Sequence, residues 1–185
     1  MVIKQVGIVT LATKKEFHAG TKSRNPMSDS EPLEILDGRQ SERAAAIQRG
    51  TCRFLQEIGH SVVTELALST GHRADVVALG RTGEIWVIEI KSSLADFQAD
   101  SKWPEYRGHC DRFFFAVASD FPLHVLPEET GLILADRFGA EMMREAPEHK
   151  LAGGTRKAVT LRFARAAATR LHMTVDPGVK GGFQE

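Results

Sequence analysis

The sequence predicts an α/β sandwich, a mixed sheet flanked by helices, from three observations. A hairpin pattern runs from His72 to Lys91, and an amphipathic helical stretch precedes it. A second helical stretch then separates Lys91 from a compact apolar run, Phe113 to Ala118. Parallel neighbours need such a crossover, so that run reads as a central strand parallel to the one before it.

The hairpin is the most informative segment. Asp75 to Leu79 and Glu84 to Lys91 are rich in β-branched and apolar residues, and the turn between them holds Gly80 and Gly83. Residues opposite one another in an antiparallel pair share a sheet face. Pairing Leu79 with Ile85 sets Val77 against Val87 and Asp75 against Glu89. A slip of one residue would set Asp75 against Ile88 and turn every apolar side chain to the wrong face. Lys91, two residues past Glu89, falls on the same face. Adjacent carboxylates repel and call for a cation or a shared proton. A small set of hard oxygen ligands suits Mg²⁺ or Mn²⁺. A lysine beside such an ion suits the positioning of a water for attack on phosphorus. The same residues also fit an ordinary ion pair, Lys91 with Glu89 or Asp75, at the solvated end of a hairpin.

Ser41 reads as the N-cap of the first helix, with Glu42 in its first turn. Ile47, Thr51, Phe54, Leu55 and Ile58 form its apolar stripe, and Gly59 ends it. Ser61 to Ala67 reads as a strand, followed by a turn at Ser69 to Gly71. If that turn is tight, Glu65 lies opposite Asp75 as a third acid. After Lys91, Ser93 caps a helix carrying Leu94 and Phe97, with Asp96, Asp100 and Trp103 at helical spacing. Pro104 breaks that helix or starts a new one. Phe97 and Trp103 read as core. Lys102 and Tyr106 are secondary site candidates, one for a phosphate and one for stacking on an unpaired base. Gly131 to Ala135 is a further strand and Ala140 to Arg144 a weaker partner. A last helix runs from Gly153 to about Leu171, with Leu161, Ala164, Ala168 and Leu171 on one face.

At 185 residues, 26% charged and 42% hydrophobic, the chain can build one ordinary globular core. Its formal net charge is zero, so any contact with nucleic acid must come from a local patch. His72 and Arg73 offer one. The last helix, with Arg156, Lys157, Arg162, Arg165 and Arg170 and no acid before His172, offers another, although such a run more often fits a solvated face. Cys52 and Cys110 lack metal-ligand spacing and read as buried thiols in a reducing cytosol. His60, His109, His124 and His149 show no ligand spacing either. No apolar stretch approaches the roughly 20 residues of a membrane span, and no signal peptide is evident. A cytoplasmic location follows. The expected division is a flexible extension over 1–40, a single domain over 41–172 and a disordered tail over 173–185. Met27 offers a natural beginning, so residues 1–26 read as the product of an upstream start codon.

Helix, three strands, an acid on the second, Glu-x-Lys ending the third, helix, strand: this order resembles the PD-(D/E)xK nuclease superfamily. More narrowly, Arg73, Asp75, Glu89, Lys91 to Ser93, Asp96, Phe97, Asp100, Lys102, Trp103, Tyr106, Cys110 and Asp111, then Leu126, Pro127 and Gly131, look like the MmcB-like bacterial DNA-repair family. The resemblance implies a restriction-endonuclease-like αβββαβ core and Mg²⁺- or Mn²⁺-dependent hydrolysis of DNA phosphodiester bonds. It implies branched, damaged or single-stranded DNA as substrate, and other repair proteins as partners. Asp75 and Glu89 would be metal ligands, joined by the backbone carbonyl of Ile90, with Lys91 orienting the water. Ala74 stands where the superfamily often has proline. Relatives often carry a glutamate on the first helix, where Glu42 is the candidate. At about 100° per residue Glu42 falls nearly opposite the apolar stripe, so Glu65 ranks ahead of it. The superfamily also contains members that bind without cutting, which leaves a non-catalytic DNA-binding repair module as the alternative.

Overall fold

The computed structural model describes residues 41–178, and the extension expected over 1–40 lies outside the described residues. Helix α1 spans Glu42–Glu57, and Ser41 Oγ accepts the Ala44 N–H at 3.1 Å as the expected N-cap. Gly59, at φ +91°, ends the helix in a conformation that costs a glycine little. Ile47, Thr51 and Leu55 are buried. Ile58, expected in the stripe, is 44% exposed because the helix stops at Glu57 and its period stops with it.

Among the described residues, six strands follow the chain order across one mixed sheet. β1 (Ser61–Ala67), β2 (Arg73–Leu79) and β3 (Ile85–Lys91) form an antiparallel meander. β4 (Arg112–Val117) and β5 (Gly131–Ala135) extend it in parallel, and β6 (Ala140–Arg144) closes it antiparallel. α2 (Leu94–Ala99), α3 (Trp103–Tyr106) and a 3₁₀ turn (Arg107–His109) make the β3–β4 crossover. The order αβββαβ is therefore present. The hairpin register is the expected one, with Leu79 opposite Ile85 and Val77 opposite Val87.

Strand alternation sorts the core into two clusters. Val76, Ala78, Ile88, Phe114 and Ile133 pack with Ile47 and Leu55 of α1. Val77, Val87, Phe113, Phe115 and Val117 face the other way, toward Tyr106. Val159 and Phe163 of α4 (Gly153–Val175) complete that second cluster. Every residue of β3 is buried, as expected of a strand covered on both faces. Phe97 and Trp103 pack against the second cluster, as expected. Of the two alternatives at Pro104 the structure shows a new helix, because α2 ends where Asp100 turns extended at φ −98°, ψ 109°. Pro104 lies in the first turn of α3, where it starts the new helix.

The face of α4 differs from expectation. Leu161 and Leu171 are 54% and 67% exposed, and Ala164 and Ala168 are exposed with them. The inner face is Val159 and Phe163, with an arginine toward each end. Arg156 forms a bidentate pair with Asp111 at 2.6 and 2.7 Å and also donates to the Gly83 carbonyl. Arg170 donates to the carbonyls of Thr64 and Glu65. These two anchors set the rotation of the helix, and both carry charges that a search for apolar periodicity passes over. Arg156 is thereby removed from the phosphate-binding candidates. The helix also runs to Val175, three residues past the boundary expected at residue 172. Pro177 ends it by pushing Asp176 out of helical geometry, at φ −136°, ψ 82°.

Asp111 is 2% exposed and fully used, since it also accepts the N–H groups of Ile85 and Leu151 at 2.8 and 3.0 Å. Removing one partner of a buried pair costs about 3–5 kcal/mol. Asp111→Ala is expected to lose stability in that range in urea denaturation, and Lys157→Ala, on an exposed side chain, is expected to lose almost none.

Candidate metal centre at the ends of β2 and β3

The two strands deliver their acids to one place for a simple geometric reason. The β2–β3 ladder pairs Val76 with Ile88, and the next residues in register are Asp75 and Glu89. There the Asp75 side chain takes over, Oδ2 accepting the Ile90 N–H at 2.7 Å. Glu89 is buried, 7% exposed, and one of its oxygens, Oε2, has no hydrogen-bond partner. Lys91 Nζ lies 3.4 Å from Glu89 Oε1 and 2.6 Å from Asp100 Oδ2. The expected triad of Asp75, Glu89 and Lys91 thus shares one face at one end of the sheet. The Ile90 side chain belongs to the opposite core cluster, so only its backbone could serve the site.

Burial sets the electrostatics. Removal from water pushes the Glu89 carboxyl up to about 8, with repulsion from Asp75 adding to it. Burial likewise raises Asp75 to about 6, opposed by the Ile90 N–H. Burial pulls Lys91 down, but Glu89 and Asp100 together hold it above its ordinary value. Without a cation the site is therefore a poorly solvated pair of acids beside one ammonium, in which Glu89 keeps its proton at neutral pH.

Such a pair fits a divalent cation. The donors are hard oxygens, and the orphaned Glu89 Oε2 is a buried acceptor with nothing to accept. Among the described residues no group of three or more His, Cys, Asp or Glu side chains is placed to hold a metal. An ion here would rest on Asp75, Glu89, a backbone carbonyl and water, which suits Mg²⁺, an ion that keeps several waters.

The other expected residues divide. Glu65 lies between the β1–β2 pairs Thr64–Val76 and Leu66–Ala74, hence across from Asp75, and its charge raises the Asp75 carboxyl. Its backbone is left-handed at φ +50°, and its carboxylate pairs with Arg73 Nε at 2.7 Å. Glu42 is exposed on the first turn of α1, whereas Gln48 of that helix donates to the Asp75 carbonyl at 3.4 Å. Tyr106 is buried, stacks on Phe113 and donates to the Arg73 carbonyl, which makes it a wall of the site rather than a base-stacking platform. The Lys102 side chain is exposed. His72 bonds Glu105 at 2.7 Å. Lys157 and Arg165 are exposed and Arg162 half-buried on α4. Asp100, placed by the sequence only on a helix and in the family motif, was not assigned to the site, and Gln48 was not singled out. Asp100 stands at the end of α2, where helical spacing no longer reports position.

The raised carboxyl makes a specific claim about stability. Folded Glu89 holds its proton up to about pH 8, whereas an unfolded glutamate releases it near 4.5. Metal-free protein should therefore lose stability as pH rises between those values. Glu89→Gln, which mimics the protonated acid, is expected to melt several degrees above the wild type at pH 8 without metal. Near pH 4.5 the two should melt together in a calorimetric scan.

Comparison with known proteins identifies the family of the chain. Residues 31–178 match a family described as DNA repair protein MmcB-like. No curated protein matches the chain. A solved structure of SPO1766, a protein of unknown function from Silicibacter pomeroyi, is 47% identical with a TM-score of 0.75. The match covers 80% of this chain and 100% of that one. No helix among the described residues is long and apolar enough to cross a membrane. With its family matched over most of its length, the chain belongs to the MmcB-like family of DNA repair proteins.

Proposed function

We propose that the protein is a Mg²⁺- or Mn²⁺-dependent DNA phosphodiesterase of the PD-(D/E)xK type. The observation that carries this reading is the buried Asp75–Glu89 pair, whose orphaned oxygen and adjacent ammonium make a poor structural ion pair but a serviceable cation site. Asp75, Glu89 and the Ile90 carbonyl would hold the ion. When bound, it would supply Lewis-acid stabilisation of charge at the scissile phosphate and acidify a bound water. Lys91 has three donors, and Asp100 and Glu89 take two, which leaves one to orient a water near phosphorus. Lys102 from the α2–α3 joint, with Lys157, Arg162 and Arg165 of α4, offers side chains to the DNA backbone. The family's DNA repair role supplies the substrate class, and branched, damaged or single-stranded forms are the first to try.

A second reading, a DNA-binding repair module that cuts nothing, draws on one observation. Lys91 is already engaged by Glu89 and Asp100, and no third acid completes a metal-binding group among the described residues.

Two measurements separate them. Nicking of branched and single-stranded DNA in Mn²⁺ should be at least about 100-fold slower for Lys91→Ala, the size of a missing oriented catalytic donor. Equal cutting by that variant ends the mechanism. Calorimetry should show Mn²⁺ binding to the wild type and none to Asp75→Ala. DNA affinity that survives Asp75→Ala, in a protein that binds no Mn²⁺, would establish the module.

A further inference from the structure

We infer that Asp100 is the positioning residue for Lys91, holding its ammonium beside the Asp75–Glu89 pair without letting it settle on Glu89. The inference rests on the phosphodiesterase reading above. Strand register places the Cα of Lys91 but leaves its four-carbon stem free. The shorter of its two ion pairs is with Asp100, at 2.6 Å, and not with Glu89 two residues away, at 3.4 Å. Both partners are sheltered, with 4% of the Lys91 side chain and 16% of that of Asp100 exposed. Solvent therefore screens this contact far less than a surface pair.

Asp100 is itself held in place. Its Oδ1 accepts the Lys102 N–H at 2.8 Å, and its own N–H donates to the Phe97 carbonyl at 3.2 Å. The six-residue helix α2 acts as a bracket that leaves from Lys91 and returns Asp100 to it. Reciprocal capping sets its start: Ser93 Oγ accepts the Asp96 N–H at 3.1 Å, and Asp96 Oδ2 accepts the Ser92 N–H at 3.0 Å. Phe97 pins its middle, with ring centroids 5.5 Å from Phe115 and 6.4 Å from Phe121. Without Asp100, the nearest carboxylate left to the ammonium is Glu89, and a lysine resting there would neutralise an oxygen that the cation needs.

The test is a double-mutant cycle in the DNA-nicking assay with Mn²⁺. Asp100→Asn should lower kcat by about 10–100-fold, the usual effect of a lost outer partner, and raise the Mn²⁺ concentration needed for half-maximal rate. KM for DNA should stay unchanged, and Asp100→Glu should recover part of the rate. In the Lys91→Ala background, Asp100→Asn should cost nothing further. Nitrogen-15 NMR of the lysine ammonium groups reads the same clamp without turnover. The wild type should show a slowly exchanging Lys91 signal that Asp100→Asn loses. Unchanged kcat in a folded Asp100→Asn protein, or losses that multiply in the double variant, overturn the role of Asp100 and leave the phosphodiesterase standing. Wild-type protein that leaves DNA intact overturns the phosphodiesterase and this role together.

Discussion

Two carboxylates pressed together at the edge of a dry sheet are the constraint around which the rest of this structure is arranged. Hairpin register brings them together, and register cannot relax. Moving Asp75 away from Glu89 by one residue would exchange the two core faces of β2, burying Asp75 where Val76 and Ala78 meet α1. The apolar core thus enforces an electrostatic arrangement that the acids by themselves would avoid. The repulsion is not relieved by solvent, because β3 is buried along its whole length. It is met instead by Lys91 and by the Ile90 N–H.

The opposite end of the sheet shows the same ingredients put to the opposite use. Asp111 is as deeply buried as Glu89, yet it accepts from two backbone N–H groups and a bidentate arginine. Burial alone would raise its carboxyl, but those donors hold it below the ordinary range. Glu89 has one lysine at 3.4 Å and an oxygen with no partner, and its carboxyl rises. A satisfied acid ties α4 to the hairpin. An unsatisfied one is left at the candidate site with a buried oxygen that has no partner. Fold stability and candidate chemistry are thus separated along the strands, and α4 spans between the two ends with an arginine anchored at each.

The anchoring of α4 also decides which of its charges face outward. Arg156 and Arg170 turn inward to an acid and to backbone carbonyls. Lys157, Arg162 and Arg165 are left toward the outside, beside the exposed Leu161 and Leu171. A chain of zero net charge can in this way present a local basic face, because Arg156 and Arg170 turn into the fold while Lys157 and Arg165 stay exposed.

Local pattern by itself determined the cap at Ser41, the stop at Gly59, all six strands, the hairpin register and the meeting of Asp75, Glu89 and Lys91. Each of these depends on alternation, helical period or turn chemistry within a short window, where sequence distance maps directly onto space. Tertiary structure alone decided the rest. The rotation of α4 came from charged anchors at Asp111 and Thr64, which hydrophobic periodicity reads backwards. Asp100 found Lys91 from the far end of α2, and Gln48 of α1 reached Asp75 from a different element. Contacts between separate elements follow from how those elements pack, and packing leaves no periodic mark on the chain.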